Sequence, residues 1–308
     1  MATAATASAP ACVGNVGVGF DVLGHTLEGP GDRVCVRRVA GRTIRVEAIR
    51  GVVGELPRDA DNTAVAALTS LRDALDLDHG FALEIDKGIP LGSGLAGSAA
   101  SAVAAVIAAD ALLGTQLPPA VLFAHALAGE RVASGGANGD NIGPSLLGGL
   151  VLAAEGHLLR VPVPAAWRCV VARPHLALLT RDARAVLTAP FALSDVVAQC
   201  GRLALLLAGC ACGDVALVRS ALRDVLIEPR RAPLVPGFAA VKAAALESGA
   251  LGASLSGAGP SVFAWYEGAA DAARGAEAMQ AAFAGAGLPS DLRVSPINGP
   301  AAAVIALD

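Results

Sequence analysis

Aromatic rings make up only 3% of this 308-residue chain, and its 23 basic residues include just two lysines, Lys87 and Lys242. A core without rings must be assembled from Ala, Val and Leu. The chain has them, being 54% hydrophobic and 16% charged. That balance excludes a disordered chain. The net charge is -4, and no basic run offsets it, so a nucleic-acid partner is not expected. Six cysteines, Cys12, Cys35, Cys169, Cys200, Cys210 and Cys212, contain no CxxC pair, and the five histidines show no ligand spacing. A structural zinc or dithiol site is therefore not expected. Cys210 and Cys212, in a leucine-rich stretch, read as small buried hydrophobes. The opening MATAATASAP lacks the basic and apolar regions of a signal peptide. The most apolar run, 203–212, is too short for a bilayer. The expectation is a soluble, cytoplasmic protein with no membrane partner.

What the chain does have is periodicity. After a few mobile residues, ACVGNVGVGFDVLG is punctuated by glycine. DRVCVRRV and TIRVEAIR then alternate apolar with polar residues, as half-buried strands do. NTAVAALTSLRDALDL has helical spacing with Asn62 or Thr63 as its cap. FALEIDKGI reads as a strand, 98–113 as a helix apolar nearly all round, and 118–132 as a second helix. ASGGANGDNIGPS reads as a polar, glycine-rich loop, and GGLVLAA as a strand. The prolines of VPVPAAW interrupt both periodicities and mark a seam between units 1–163 and 164–308. Beyond it come strand RCVVARP, helices near 182–188, 194–225 and 236–248, the glycine turn in SLSGAGPSVFAWY, and a final helix and strand. Strands and helices mixed in two halves give an α+β fold.

The stretch PLGSGLAGSAAS (90–101) passes from a strand through a glycine-rich turn into a helix. The first N–H groups of a helix have no partner within it and carry partial positive charge, which makes such a junction an anion site. Glycines there let a phosphate approach without meeting a Cβ, with Gly94 at the tightest approach. Tight helix–strand packing is the alternative. Two phosphate loops are excluded: Gly97 is followed by Ser98 and Ala99 rather than Lys-Ser/Thr, and GSGLAG follows antiparallel-looking strands with Asp110 inside the helix.

PLGSGLAGSAAS resembles the phosphate motif of the GHMP kinases, Pro-x-x-x-Gly-Leu-Gly-Ser-Ser-Ala-Ala, with Ala96 in place of a glycine and Gly97 in place of the first serine. Either Ala96 or Gly97 must then supply the left-handed conformation. PACVGNVGVGFDVLG and LSGAGPSVFAW resemble the family's N-terminal substrate motif and C-terminal glycine motif. The first has the form typical of the homoserine kinase branch. GDNIGPSLLGGLVL, TRDARAVL and IEPRRAPLVPGF extend that resemblance over residues 10–264.

The resemblance implies a two-domain architecture: a ribosomal-protein-S5-like nucleotide domain followed by a ferredoxin-like one. It implies ATP and Mg²⁺ as cofactors, L-homoserine as acceptor, and a homodimer. Another GHMP small-molecule kinase, or a catalytically weak nucleotide-binding homologue, is the alternative. For the nucleotide it implies Pro90, Leu91, Gly92, Ser93 and Gly94 in the turn, Leu95, Ala96 and Gly97 at the helix entrance, and Ser98, Ala99 and Ala100 in the first helical turn. Asn62 would meet the adenine edge. Ser98 and Glu130 would hold Mg²⁺, which takes one or two hard oxygens from protein. Arg231 and Arg184 would grip the substrate carboxylate, since a guanidinium offers a planar fork. Asp21, helped by Asn15, would take the ammonium, with Asn138 and Gly257 also at the substrate. Asn138 stands where the family usually has histidine. Thr180 would lie near the reacting hydroxyl, or cap a helix with Arg184 on the same face. Asp140 serves as general base in related kinases; positioning and charge neutralisation alone are the alternative. Lys87, just before the loop, reads as a flexible surface lysine, with neutralisation of phosphate charge the alternative.

Overall fold

A computed structural model describes residues 2–52, 56–134, 136 and 138–308. Among the described residues the first element is strand β1 (Ala4–Val13), which takes up most of the stretch expected to be mobile. Alanine is a poor strand former, so its sequence AATASAPACV carries little strand signal. Yet Ala5, Ala7, Ala9, Ala11 and Val13 alternate into the core, as a period of two requires. β2 (Leu23–Val39) is longer than the expected strand, and β3 (Ile44–Gly51), α1 (Thr63–Ala74) and β4 (Gly80–Lys87) follow. Helices α2 (Gly97–Leu113), α3 (Pro119–Ser134) and α4 (Gly139–Leu147) lead to the hairpin β5 (Leu150–Ala154) and β6 (His157–Arg160). Most of α2 is buried around its whole circumference, as its apolar composition anticipates. Its alanines let α1, α3 and the sheet close on it.

Helix α4 corrects the reading of ASGGANGDNIGPS as a loop. Glycine and Pro144 mask the helical spacing, but Ile142, Pro144 and Leu146 bury against β2 and β5. Tertiary packing overrides the weak local propensity. Gly135 and Ala137 of that stretch lie outside the described residues.

The second half begins with β7 (Arg168–Pro174) and the short α5 (Thr180–Ala185). The expected helix over 194–225 is two: α6 (Leu193–Cys212) and α7 (Val215–Ala221). Gly213 ends the first in a left-handed conformation, and the Asp214 side chain caps the second. At 20 residues, α6 exceeds the apolar run read from sequence and is long and apolar enough, by length and composition alone, to cross a membrane. Here it packs through Gln199, Leu206, Gly209 and Cys210, while Cys212 is exposed rather than buried. Then come α8 (Glu228–Arg231), α9 (Phe238–Glu247), β8 (Gly252–Leu255), β9 (Val262–Tyr266), α10 (Ala269–Gly285), β10 (Ser290–Pro296) and β11 (Ala303–Leu307).

Two sheets organise these elements. The larger runs β11-β1-β2-β4-β3, with β5 and β6 attached along the start of β2; among the described residues only its β3–β4 pair is parallel. The smaller is antiparallel in the order β10-β7-β9-β8. Numbered within that half the order is 4-1-3-2, the ferredoxin-like arrangement. Alternation along β9 joins the two halves. Val262, Ala264 and Tyr266 face a core shared with α9 and α10, whereas Phe263 and Trp265 face the core of the larger sheet. Between them Trp265 Nε1 donates to His25 Nε2 at 3.1 Å, and His25 Nδ1 meets the Thr26 carbonyl at 2.9 Å. That pairing fixes a neutral His25, and burial lowers its pKa to about 4.

Candidate active site

Where the two halves meet, a cavity of about 330 Å³ is lined by residues 90–98, by α5, by Asn15 and Asp21, and by residues 257–259. The loop after β4 winds through left-handed backbone at Gly92 (φ 61°), Gly94 (φ 75°) and Ala96 (φ 64°). Ala96 itself, not Gly97, takes the left-handed position at the entrance to α2, a conformation costing an alanine about 1–2 kcal/mol. The first helical bond runs from Ala100 N–H to the Ala96 carbonyl. The N–H groups of Gly97, Ser98 and Ala99 therefore have no partner within the helix.

Gly94 has a different role from the one read in the sequence. A Cβ there would meet the carbonyl oxygens of Ser256 at 2.5 Å and Gly259 at 2.6 Å, not an open phosphate path. Ser256 Oγ also donates to the Gly94 carbonyl at 2.7 Å. The glycine lets one glycine loop press against the other.

Ser98 Oγ donates to Glu130 Oε2 at 2.9 Å. Glu130, reached from α3, is buried, and that burial raises its carboxyl pKa to about 7 against the opposing effect of the Ser98 hydrogen bond. Asp140, in the first turn of α4, is also raised to about 7, by burial first and then by the charges of Asp21 and Glu130. It accepts from the Asn15 backbone N–H at 3.0 Å, and its neighbour Asn141, the other residue of the DN pair and also at the cavity, donates to it at 3.3 Å.

The loop between β1 and β2 is strained. Asn15 (φ 68°), Val16 (φ 33°) and Asp21 (φ 63°) all have positive φ. Asn15 holds it: Oδ1 accepts from Asp21 N–H at 3.0 Å, and Nδ2 donates to the Gly257 carbonyl at 2.7 Å. Arg184 donates to both Asp21 carboxylate oxygens, at 2.9 and 3.1 Å. Arg231, only 2% exposed, donates to the carbonyls of Ala183 at 3.0 Å and Gly257 at 3.1 Å. Both guanidinium groups lie over Phe20, at 5.6 and 5.2 Å from its centroid. Phe20, between Gly19 and Asp21, carried no separate sequence signal.

Thr180 opens α5, one turn before Arg184, and both line the cavity, as does Asn138 at the start of α4. Asn62 does not line it. Its side chain caps α1 by accepting from Ala64 N–H at 3.0 Å, and donates to the Pro57 carbonyl at 2.8 Å. Ala99 and Ala100 are fully buried beneath the loop.

Lys87 is not a surface lysine. Its ammonium is ion-paired with buried Asp32 and donates to the Gly97 carbonyl at 2.7 Å and to Ser101 Oγ at 2.9 Å. Asp32 also accepts from the N–H groups of Gly88 and Ile89, at 3.1 and 3.2 Å, so the pair ties the loop's start to the base of α2. The signal was in the alternation: Phe81, Leu83 and Ile85 point inward on β4, and Lys87 continues that face.

Family models for the GHMP kinases N terminal domain and the GHMP kinases C terminal match residues 62–149 and 203–285. The chain is 58% identical over 303 residues to a homoserine kinase of Xanthomonas campestris, an alignment covering 98% of this chain and 94% of that one. It belongs to the homoserine kinases of the GHMP family. A homoserine kinase of Xylella fastidiosa is 53% identical over 302 residues, with the same two coverages. The crystal structure of homoserine kinase from Cytophaga hutchinsonii superposes with a TM-score of 0.94 at 40% identity, covering 99% of this chain and 98% of that one. These relatives share the two-domain α+β fold over nearly their full length.

Proposed function

We propose that the protein transfers the γ-phosphoryl group of ATP to the side-chain hydroxyl of L-homoserine, forming O-phospho-L-homoserine. The observation that carries this reading is the meeting, in one cavity, of a helix-entrance phosphate loop with a set complementary to a zwitterion: Asp21 for an ammonium, Arg184 and Arg231 for a carboxylate. Asp21 and Arg184 are ion-paired at 2.9 Å. An amino acid would insert its own two charges between them.

The phosphates of ATP rest against residues 92–98, where the N–H groups of the first turn of α2 meet negative charge. Ser98 and Glu130 suit Mg²⁺: they are hard oxygen donors within hydrogen-bond distance of each other. Among the described residues no group of three or more His, Cys, Asp or Glu gathers to hold a metal, so phosphates and waters must complete the shell, as they usually do for this ion. An ion held by Ser98 and Glu130 would supply charge neutralisation for the transferring phosphoryl group. Asp140, with its pKa near 7, accepts the hydroxyl proton at neutral pH. Thr180 orients that hydroxyl, and Asn138 contributes a neutral hydrogen-bonding contact to the substrate. A cytoplasmic location and a homodimer belong to the same reading on family grounds.

An ADP-release assay over L-homoserine, serine, threonine, mevalonate and galactose tests the reading. Turnover with homoserine well above the others is expected. A different preferred alcohol would assign the site to another GHMP kinase activity, and no turnover would leave only nucleotide binding.

A further inference from the structure

Of the four buried residues of α6, Gln199, Leu206, Gly209 and Cys210, only Gln199 carries an amide side chain. A buried amide persists where both its oxygen and its nitrogen find partners, and this one makes three hydrogen bonds. Nε2 donates to the Val18 carbonyl at 3.3 Å and to Asp224 Oδ1 at 2.9 Å, while Oε1 accepts from Val225 N–H at 3.1 Å. Val18 belongs to the strained loop that carries Asn15 and Asp21. Asp224 in turn accepts from the N–H groups of Leu226, Ile227 and Glu228, at 2.9, 3.0 and 2.8 Å. Those bonds build the entrance of α8, whose last residue is Arg231.

We infer that Gln199, acting through Asp224, is a positioning residue for the amino-acid substrate: it clips the loop bearing the ammonium-side groups to the turn bearing the carboxylate-side arginine. The inference rests on the function proposed above. Loop backbone with positive φ at non-glycine residues keeps its conformation only where surrounding contacts over-determine it. Residues Asn15, Asp140 and Gly257 hold the loop on the cavity side, and Gln199 holds it from behind. None of the Gln199 partners belongs to the phosphate loop, so the clip serves one substrate and not the other.

Gln199→Met keeps the side-chain length and removes all three hydrogen bonds. With the gap between Asp21 and Arg231 no longer set, the KM for homoserine should rise about 10-fold or more while the KM for ATP stays within about twofold, since small misplacements of binding groups are costly. ADP binding by calorimetry should be unchanged. Asp224→Asn, which disturbs the same clip from its other end, should show the same split and serves if the first variant folds poorly. A wild-type protein inactive on homoserine would sink the functional reading. An active wild type whose variants raise both KM values equally, or lower only the thermal midpoint, would make Gln199 purely structural and overturn the inference.

Discussion

Glu130 and Asp140 are carboxyl groups held where ionisation is hardest, and their uses separate on mutation. Glu130→Gln keeps the shape and the Ser98 contact but removes a charged oxygen from the proposed Mg²⁺ shell. Turnover should fall by more than the roughly 10–100-fold that outer-shell partners are worth, while calorimetry finds homoserine still bound. Wild-type turnover would remove Glu130 from the reaction. Asp140 makes a prediction about stability. Its folded pKa of about 7 lies above the ordinary 3.8, so between those values the folded state keeps a proton that the unfolded chain has lost. Its contribution is therefore fully present below about pH 4 and lost as pH rises through 7. Asp140→Asn, free of that titration, should melt higher than wild type at pH 8 without ligands, with the gap closing toward pH 4. A gap independent of pH would contradict the buried-carboxyl account. These residues could be picked from the sequence because motif and chemistry coincide. Lys87 and Asp32 were missed because their pairing joins β2 to β4 across 55 residues, and a lone lysine looks like surface until the strand's alternation is followed to its end.

The glycine loop and α2 show what local pattern can and cannot reveal. Strand, turn and helix were legible because their periodicities differ sharply. The reason for Gly94 was not, since its neighbours come from residues 256–259, and no local pattern encodes that approach. Gly94→Ala should lower the thermal midpoint of the nucleotide-free protein. Left-handed strain alone is about 1–2 kcal/mol, the clash adds to it, and a chain this size loses about 1.5 °C per kcal/mol. An unchanged midpoint with ATP binding lost would restore the phosphate-clearance reading. β1 and α4 escaped for opposite reasons. In the first, alanine hides a strand; in the second, glycine and proline hide a helix. In both, burial against distant elements decides.

The two halves are stitched rather than merely adjacent, and sequence periodicity is silent about stitches. β11 returns from the end of the chain to pair with β1, and Trp265 reaches His25 across 240 residues. Motif order along the chain nonetheless pointed to one site, because the phosphate loop and Asp21 come from one half, Arg184 and Arg231 from the other, and they can act together only where those halves meet. The central claim is that this cavity brings an ATP γ-phosphate to the hydroxyl of a zwitterionic alcohol. Following ³¹P NMR of the protein with ATP, Mg²⁺ and L-homoserine tests it most directly. The account predicts a new phosphomonoester signal coupled to the side-chain methylene protons, growing with ADP, and little of it with 4-hydroxybutyrate, which lacks the ammonium that Asp21 would hold. ADP appearing with inorganic phosphate alone, or 4-hydroxybutyrate phosphorylated as fast as homoserine, would contradict it.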